Sequence, residues 1–201
     1  MEIEEKIRKA YEESIKVKEQ FFKENISLIK EVAEIIAKSL NEGGKILIFG
    51  NGGSATDASH IAAEFVNRFK RERPGLPAIA LNTDMAVLTA IANDYDYSEV
   101  FAKQVKALGQ SGDIVIGIST SGSSRNVIKA VEVAKKRGLK SIAFTSSKGE
   151  KLISKVDYAF AVPSEDTPRI QETHITLGHI LCELVEDILF EFPAAKKKAK
   201  Q

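Results

Sequence analysis

Residues 112–144, GDIVIGISTSGSSRNVIKAVEVAKKRGLKSIAF, decide the fold. Ile114–Ile118 is apolar with no polar alternation, the pattern of a strand covered on both faces. Five hydroxyl residues and Gly122 follow in Ser119–Ser124. A segment with apolar positions at helical spacing then spans about 124–137. Lys135, Lys136 and Arg137 put cations at the negative end of that helix, and Gly138 stops it. A second apolar run, Ile142–Phe144, begins almost at once. Strand, loop, helix and strand in this order join two parallel strands through a crossover.

The alternation extends both ways. Apolar runs Ile46–Phe49 and Ala78–Leu81 precede it and Tyr158–Val162 follows, with helical stretches at about 54–70, 84–108 and 149–154. The expectation is an α/β domain over residues 42–193 with a doubly wound, five-stranded parallel sheet. Residues 1–41 show two apolar stripes at helical spacing. One runs from Ile7 to Phe22, the other from Ile26 to Leu40. They predict two N-terminal helices outside the sheet, packing against another copy of the chain. A last helix is expected from Thr167 as N-cap, with Pro168 at the first helical position. Its run Ile175–Leu189 is apolar around most of its girth, so it is expected to be buried in a core or an interface. Residues 194–201, AAKKKAKQ, predict a basic flexible tail.

Composition narrows the function classes. The 201 residues are 43% hydrophobic with a net charge of +1, so no global basic field points to nucleic acid. One cysteine excludes an internal disulfide framework, and Cys182 in an apolar helical run reads as a buried inert thiol. No apolar run approaches the ~20 residues of a membrane span. The charged, helical start MEIEEKIRKAYEES is not a signal peptide. A cytoplasmic protein without membrane or nucleic-acid partners is expected.

Two strand-to-helix loops carry candidate chemistry. In Gly50-Asn51-Gly52-Gly53-Ser54 the glycines allow close backbone approach to a ligand, and Ser54 with Asp57 fits a capping pair for the next helix. In Ser119-Thr120-Ser121-Gly122-Ser123-Ser124 there are more hydroxyls than capping needs. With free N–H groups at a helix start they suit the three oxygens of a phosphate. Both loops lie at carboxyl ends of strands, where doubly wound sheets bind ligands, and they are expected to meet in one pocket. On the helix after the first loop, His60 and Glu64 are spaced i,i+4, which puts an imidazole and a carboxylate on one face. Such a pair can share a divalent metal. Arg68 continues that face and either attracts a sugar phosphate or pairs with Glu64.

With GNGGSA, RPGLPAIALNTD, AIANDY, GDIVIGISTSGSS and RIQETHITLGHIL in place, the chain resembles the phosphoheptose isomerase family of sugar-isomerase (SIS) domains. The resemblance implies a flavodoxin-like strand order and a homotetramer. It implies a zinc-type site of His60, Glu64, Gln171 and His179, with Glu64 and His179 as the acid–base pair. Asn51, Gly52, Gly53, Asn93, Asp94, Ser119, Thr120, Ser121, Ser124 and Gln171 match substrate-binding positions of the family. The implied reaction converts sedoheptulose 7-phosphate to D-glycero-D-manno-heptose 7-phosphate without a nucleotide cofactor. Helix geometry strains one part of this: Gln171 and His179 are eight residues apart, a rise of ~12 Å. A second resemblance, in RPGLPAIALNTD, VLTAIAND and AKQVKALG, is to the DnaA initiator-associating proteins, non-catalytic relatives without counterparts of Glu64 and His179. A third reading is an isomerase or sensor of another sugar phosphate.

Overall fold

The apolar runs become strands because helices cover both of their faces. The computed structural model describes residues 2–191. Its five strands are β1 (Ile46–Gly50), β2 (Ala78–Ala80), β3 (Ile114–Ile118), β4 (Lys140–Ser146) and β5 (Tyr158–Val162). They form one parallel sheet in the order β2-β1-β3-β4-β5, the flavodoxin-like order. Successive strand residues point to opposite faces. Ile46, Ile48, Ile116, Ile118, Phe144 and Phe160 pack in one core layer with α1 (Ile3–Asn41), α2 (Gly53–Val66) and α7 (Thr167–Phe190). Leu47, Phe49, Val115 and Ala143 pack in the other, against α4 (Val100–Leu108), α5 (Arg125–Lys136) and α6 (Glu150–Ile153). Between β2 and α4 lie α3 (Met85–Asp94) and a 3-10 turn, Tyr97–Glu99.

The chain leaves β1 toward β2 on one side and returns to β3 on the other. The carboxyl ends of β1 and β3, with Gly50 opposite Ile118, are therefore the point where strand order reverses. Both candidate loops start there.

Several local expectations are corrected. The N-terminal region is one helix of 39 residues, not two. No glycine or proline separates the stripes, and Asn25 donates to the Phe21 carbonyl of its own helix rather than capping a new one (2.8 Å). Its later part buries Phe21, Ile29, Val32, Ala33 and Ile36, while Ile3, Ile7, Tyr11 and Ile15 remain exposed. The stretch 84–108 is broken because Asp96 accepts a hydrogen bond from the Ser98 amide (2.8 Å) and starts a separate turn. The glycine-loop helix begins at Gly53 with Gly52 as N-cap at φ 56°, so Ser54 lies inside the helix and is buried instead of capping it. Asp166, not Thr167, holds the N-cap position of the last helix, which puts Thr167 and Pro168 in the first turn. Strand β4 is longer at both ends than its apolar centre. The basic tail 194–201 and the last two residues of the expected domain, 192–193, lie outside the described residues.

Candidate active site

Helices α2 and α7 run in the same direction and approach closely where side chains are absent. A Cβ on Gly53 would lie 2.4 Å from Nε2 of Gln171, and one on Gly178 would lie 2.6 Å from Cδ1 of Ile61. This close contact brings His179 of α7 to the His60–Glu64 face of α2. His60 Nε2 is 3.2 Å from Glu64 Oε1 and 3.5 Å from His179 Nε2. The two imidazoles meet edge to face with centroids 5.0 Å apart, and the Phe69 ring stacks on His179 at 5.6 Å. Ligand atoms of all three residues lie within 4.8 Å of one another.

These separations fit a divalent metal. Tetrahedral ligands ~2.0–2.1 Å from zinc stand roughly 3.3 Å apart, and two imidazoles plus one carboxylate are the donor set of three-ligand catalytic sites that keep a position open. His60 is exposed while Glu64 and His179 are half-buried, so a ligand can reach the group. Gln171 packs instead at Gly53, on the first turn of α2, and the trio forms without it. Arg68 does not continue the His60–Glu64 face. Helix α2 ends at Val66, and exposed Arg68 pairs with Glu72 at 3.6 Å rather than with Glu64. The helix stops there because the Arg73 guanidinium takes the carbonyls of Glu64 (2.9 Å), Phe65 (2.8 Å) and Asn67 (3.0 Å). Next to His60, burial pushes the Asp57 carboxyl up, against a downward pull from His60, and its Oδ2 is buried without a hydrogen-bond partner.

The serine loop stands at the strand-order reversal. Ser119 and Ser124 hydroxyls are 3.0 Å apart, and those of Ser121 and Ser123 are 2.9 Å apart. Gly122 turns the loop at φ 61°, and a Cβ there would sit 2.3 Å from the Gly149 Cα, so the backbone approach needs glycine. Asn51 from the glycine loop exchanges amide hydrogen bonds with Asn126 (3.0 and 2.8 Å) and accepts one from the Tyr97 hydroxyl (3.0 Å). The glycine loop is thus tied to the first turn of α5, directly after the serine loop. A cavity of about 300 Å³ is lined by Asn51, Asp96, Tyr97, Ser98, Ser124, Arg125 and Asn126. A second of about 300 Å³ lies on the other side, among Thr120, Ser121, Ser146, Lys148, Glu165, Thr167 and Ile170. The trio lines neither of them. Hydrogen bonds from the Ser98 hydroxyl and amide hold the Asp96 carboxyl below the usual range. Asn93 and Asp94 end α3, exposed and hydrogen-bonded to each other (2.9 Å).

Sequence reasoning did not single out Tyr97, Asn126 or Lys148, because no periodicity or spacing marks residues that reach a pocket from separate loops. Cys182 is buried, and burial with the nearby Glu64 charge pushes its thiol far up, so it stays protonated.

Residues 10–146 match the SIS domain family. Over all 201 residues, and the full length of both chains, the protein is 95% identical to the phosphoheptose isomerase of Thermodesulfovibrio yellowstonii. The solved phosphoheptose isomerase of Neisseria gonorrhoeae superposes with a TM-score of 0.87 at 42% identity, covering 92% of this chain and 100% of that one. That of Francisella tularensis gives 0.90 at 39% identity, covering 93% and 100%. Fold and sequence agree: the chain belongs to the phosphoheptose isomerase family of SIS-domain enzymes.

Proposed function

We propose that the enzyme converts sedoheptulose 7-phosphate to D-glycero-D-manno-heptose 7-phosphate by proton transfer through an enediol, as the first step of nucleotide-heptose synthesis. The observation that carries this reading is the trio His60, Glu64 and His179, held at metal-ligand separations on two helices, one of which starts from the glycine loop at the switch point. A ketose–aldose interconversion needs one group to move a proton from the carbon beside the carbonyl to the carbonyl carbon, and a second to move the hydroxyl proton to the carbonyl oxygen. Glu64 and His179 are the two proton-handling groups, set to act on adjacent atoms of the substrate. Ser119, Thr120, Ser121 and Ser124 bind the phosphate through hydroxyls and the free amides at the start of α5. Asn51, Asn93 and Asp94 contribute contacts to the sugar hydroxyls. His60, Glu64 and His179 would hold a zinc-type ion. Bound there, such an ion would supply Lewis-acid polarisation of substrate oxygens. Turnover of sedoheptulose 7-phosphate by the purified protein, lost with a chelator and restored by divalent metal, is the direct test. No turnover with metal restored would reject the reading.

Two further outcomes are expected. Ser121→Ala removes one hydroxyl from the phosphate loop, so substrate binding should weaken by about 1–3 kcal/mol if that bond is charge-assisted, while saturated turnover and metal content stay normal. A large drop in turnover with an unchanged Michaelis constant would move Ser121 out of the phosphate site. The exposed stripe Ile3, Ile7, Tyr11 and Ile15 on α1 is proposed to pack against other copies in a homotetramer. Light scattering showing a stable monomer at micromolar concentration would contradict this.

A further inference from the structure

A buried ion pair joins the two helices that carry the trio. Arg73 Nε donates to Glu186 Oε2 at 2.8 Å, and both side chains are only 1% exposed. Glu186 sits on α7 seven residues after His179, two turns along almost the same face. Its carboxylate also accepts the backbone amides of Phe69 (3.2 Å), Lys70 (3.1 Å) and Arg71 (2.6 Å). Burial alone would raise the carboxyl's pKa, but Arg73 and these amides outweigh it and hold the group ionised below its ordinary value. Arg73 in turn caps the end of α2 through the Glu64 and Phe65 carbonyls.

Such a pair is weak evidence for stability. Desolvating two charges costs about as much as their attraction returns, and apolar replacements are often as stable. What it does set is geometry. One end grips the turn of α2 that bears Glu64. The other end fixes the loop that lays the Phe69 ring on the His179 imidazole at 5.6 Å and 26°. Lys70 to Glu183 (2.6 Å) and Arg71 to Asp187 (3.1 Å) tie the same loop to α7 on its outer side, where solvent weakens their hold.

We propose that Arg73, Glu186 and Phe69 form a positioning clamp for the acid–base pair: the Arg73–Glu186 bridge sets Glu64 against His179, and Phe69 fixes the plane of the His179 ring. None of the three is asked to touch substrate. The inference rests on the proposed roles of Glu64 and His179.

The test uses the full chain and Glu186→Gln, which keeps the shape but loses the charge and one acceptor oxygen. Three readouts are compared: kcat and KM for sedoheptulose 7-phosphate, zinc affinity by chelator competition, and the ring signals of selectively 13C-labelled histidine, of which the chain has three. The clamp predicts that the His179 ring signal loses its Phe69 ring-current shift and that zinc affinity falls about tenfold or more. It also predicts that kcat falls by a similar factor while KM holds, because the serine loop is untouched. A lowered Tm with unchanged His179 signal, or with unchanged kcat and zinc affinity, would reduce the pair to a structural cap and overturn the proposal. Should Glu186→Gln fail to fold, Phe69→Leu on the half-buried loop carries the test, and normal turnover with normal zinc affinity there overturns it equally. If the wild-type enzyme does not turn over sedoheptulose 7-phosphate, the functional reading fails, and the histidine signal with zinc affinity still decides the clamp.

Discussion

Glu64→Gln is expected to leave the fold intact and to lower turnover at saturating substrate by about 10²–10⁴-fold, the usual contribution of a positioned acid or base. The carboxylate is half-buried and one turn from His60, with its Oε1 3.2 Å from the imidazole. An amide of the same size keeps the packing of α2 and can still offer an oxygen, but it cannot take up a proton at neutral pH. Metal affinity should also fall, so the comparison belongs in metal-loaded protein. His179→Gln should behave alike, since its Nε2 faces the same point in space at 3.5 Å from His60. Circular dichroism should show wild-type folding for both. Near-normal turnover in metal-loaded Glu64→Gln would remove the acid–base assignment.

The sheet was legible because parallel strands buried on both faces must be apolar throughout, as in Ile114–Ile118. The ends of β4 were not. Lys140, Ser141, Thr145 and Ser146 look like loop residues, yet they pair in the ladder with β3 and β5, and the Ser141 hydroxyl donates to Asp157 at 2.8 Å. Their polarity is satisfied by partners distant in sequence, which local pattern does not record. At the site, i,i+4 spacing put His60 and Glu64 on one helix face, and the family resemblance made that pair a metal site. The approach of His179 was not legible, since it depends on two glycines, Gly53 and Gly178, letting α2 and α7 close. The same closeness puts Gln171 at Gly53, a position that motif resemblance cannot convey. Glu186 did leave a signal. It is one of three acidic residues, with Glu183 and Asp187, in the apolar run Ile175–Leu189, and any of them that is buried carries a desolvation cost that partners must meet. Nothing in the sequence said that the partner was Arg73.

The protein should lose about 3 kcal/mol of stability as pH falls from 6.5 to 4, through His174. This imidazole is fully buried in α7 beside Phe144, with ring centroids 5.8 Å apart. Its Nε2 lies 3.1 Å from the Thr145 carbonyl, so the neutral ring donates there, while Nδ1 is buried without a partner. Burial lowers its pKa from 6.5 to about 4, and the Thr145 carbonyl only partly opposes this. The native state therefore binds fewer protons than the unfolded chain between those two values. Stability is full above pH 6.5 and drains away until the folded pKa is reached. A shift of about 2.5 units at 1.36 kcal/mol per unit gives roughly 3 kcal/mol. Other groups titrate lower: the carboxyls of Asp96 and Glu186 are held down in the folded state and add their own losses chiefly toward the acid end. Comparison with His174→Gln separates the two effects, because the amide can still donate to the Thr145 carbonyl but cannot charge. Urea unfolding of both proteins at pH 7.5, 6, 5 and 4.5, at one fixed protein concentration so that any subunit dissociation cancels, should show curves that converge as the pH falls. Parallel curves would mean that His174 gains its proton without cost, and that the pocket around Thr145 admits water.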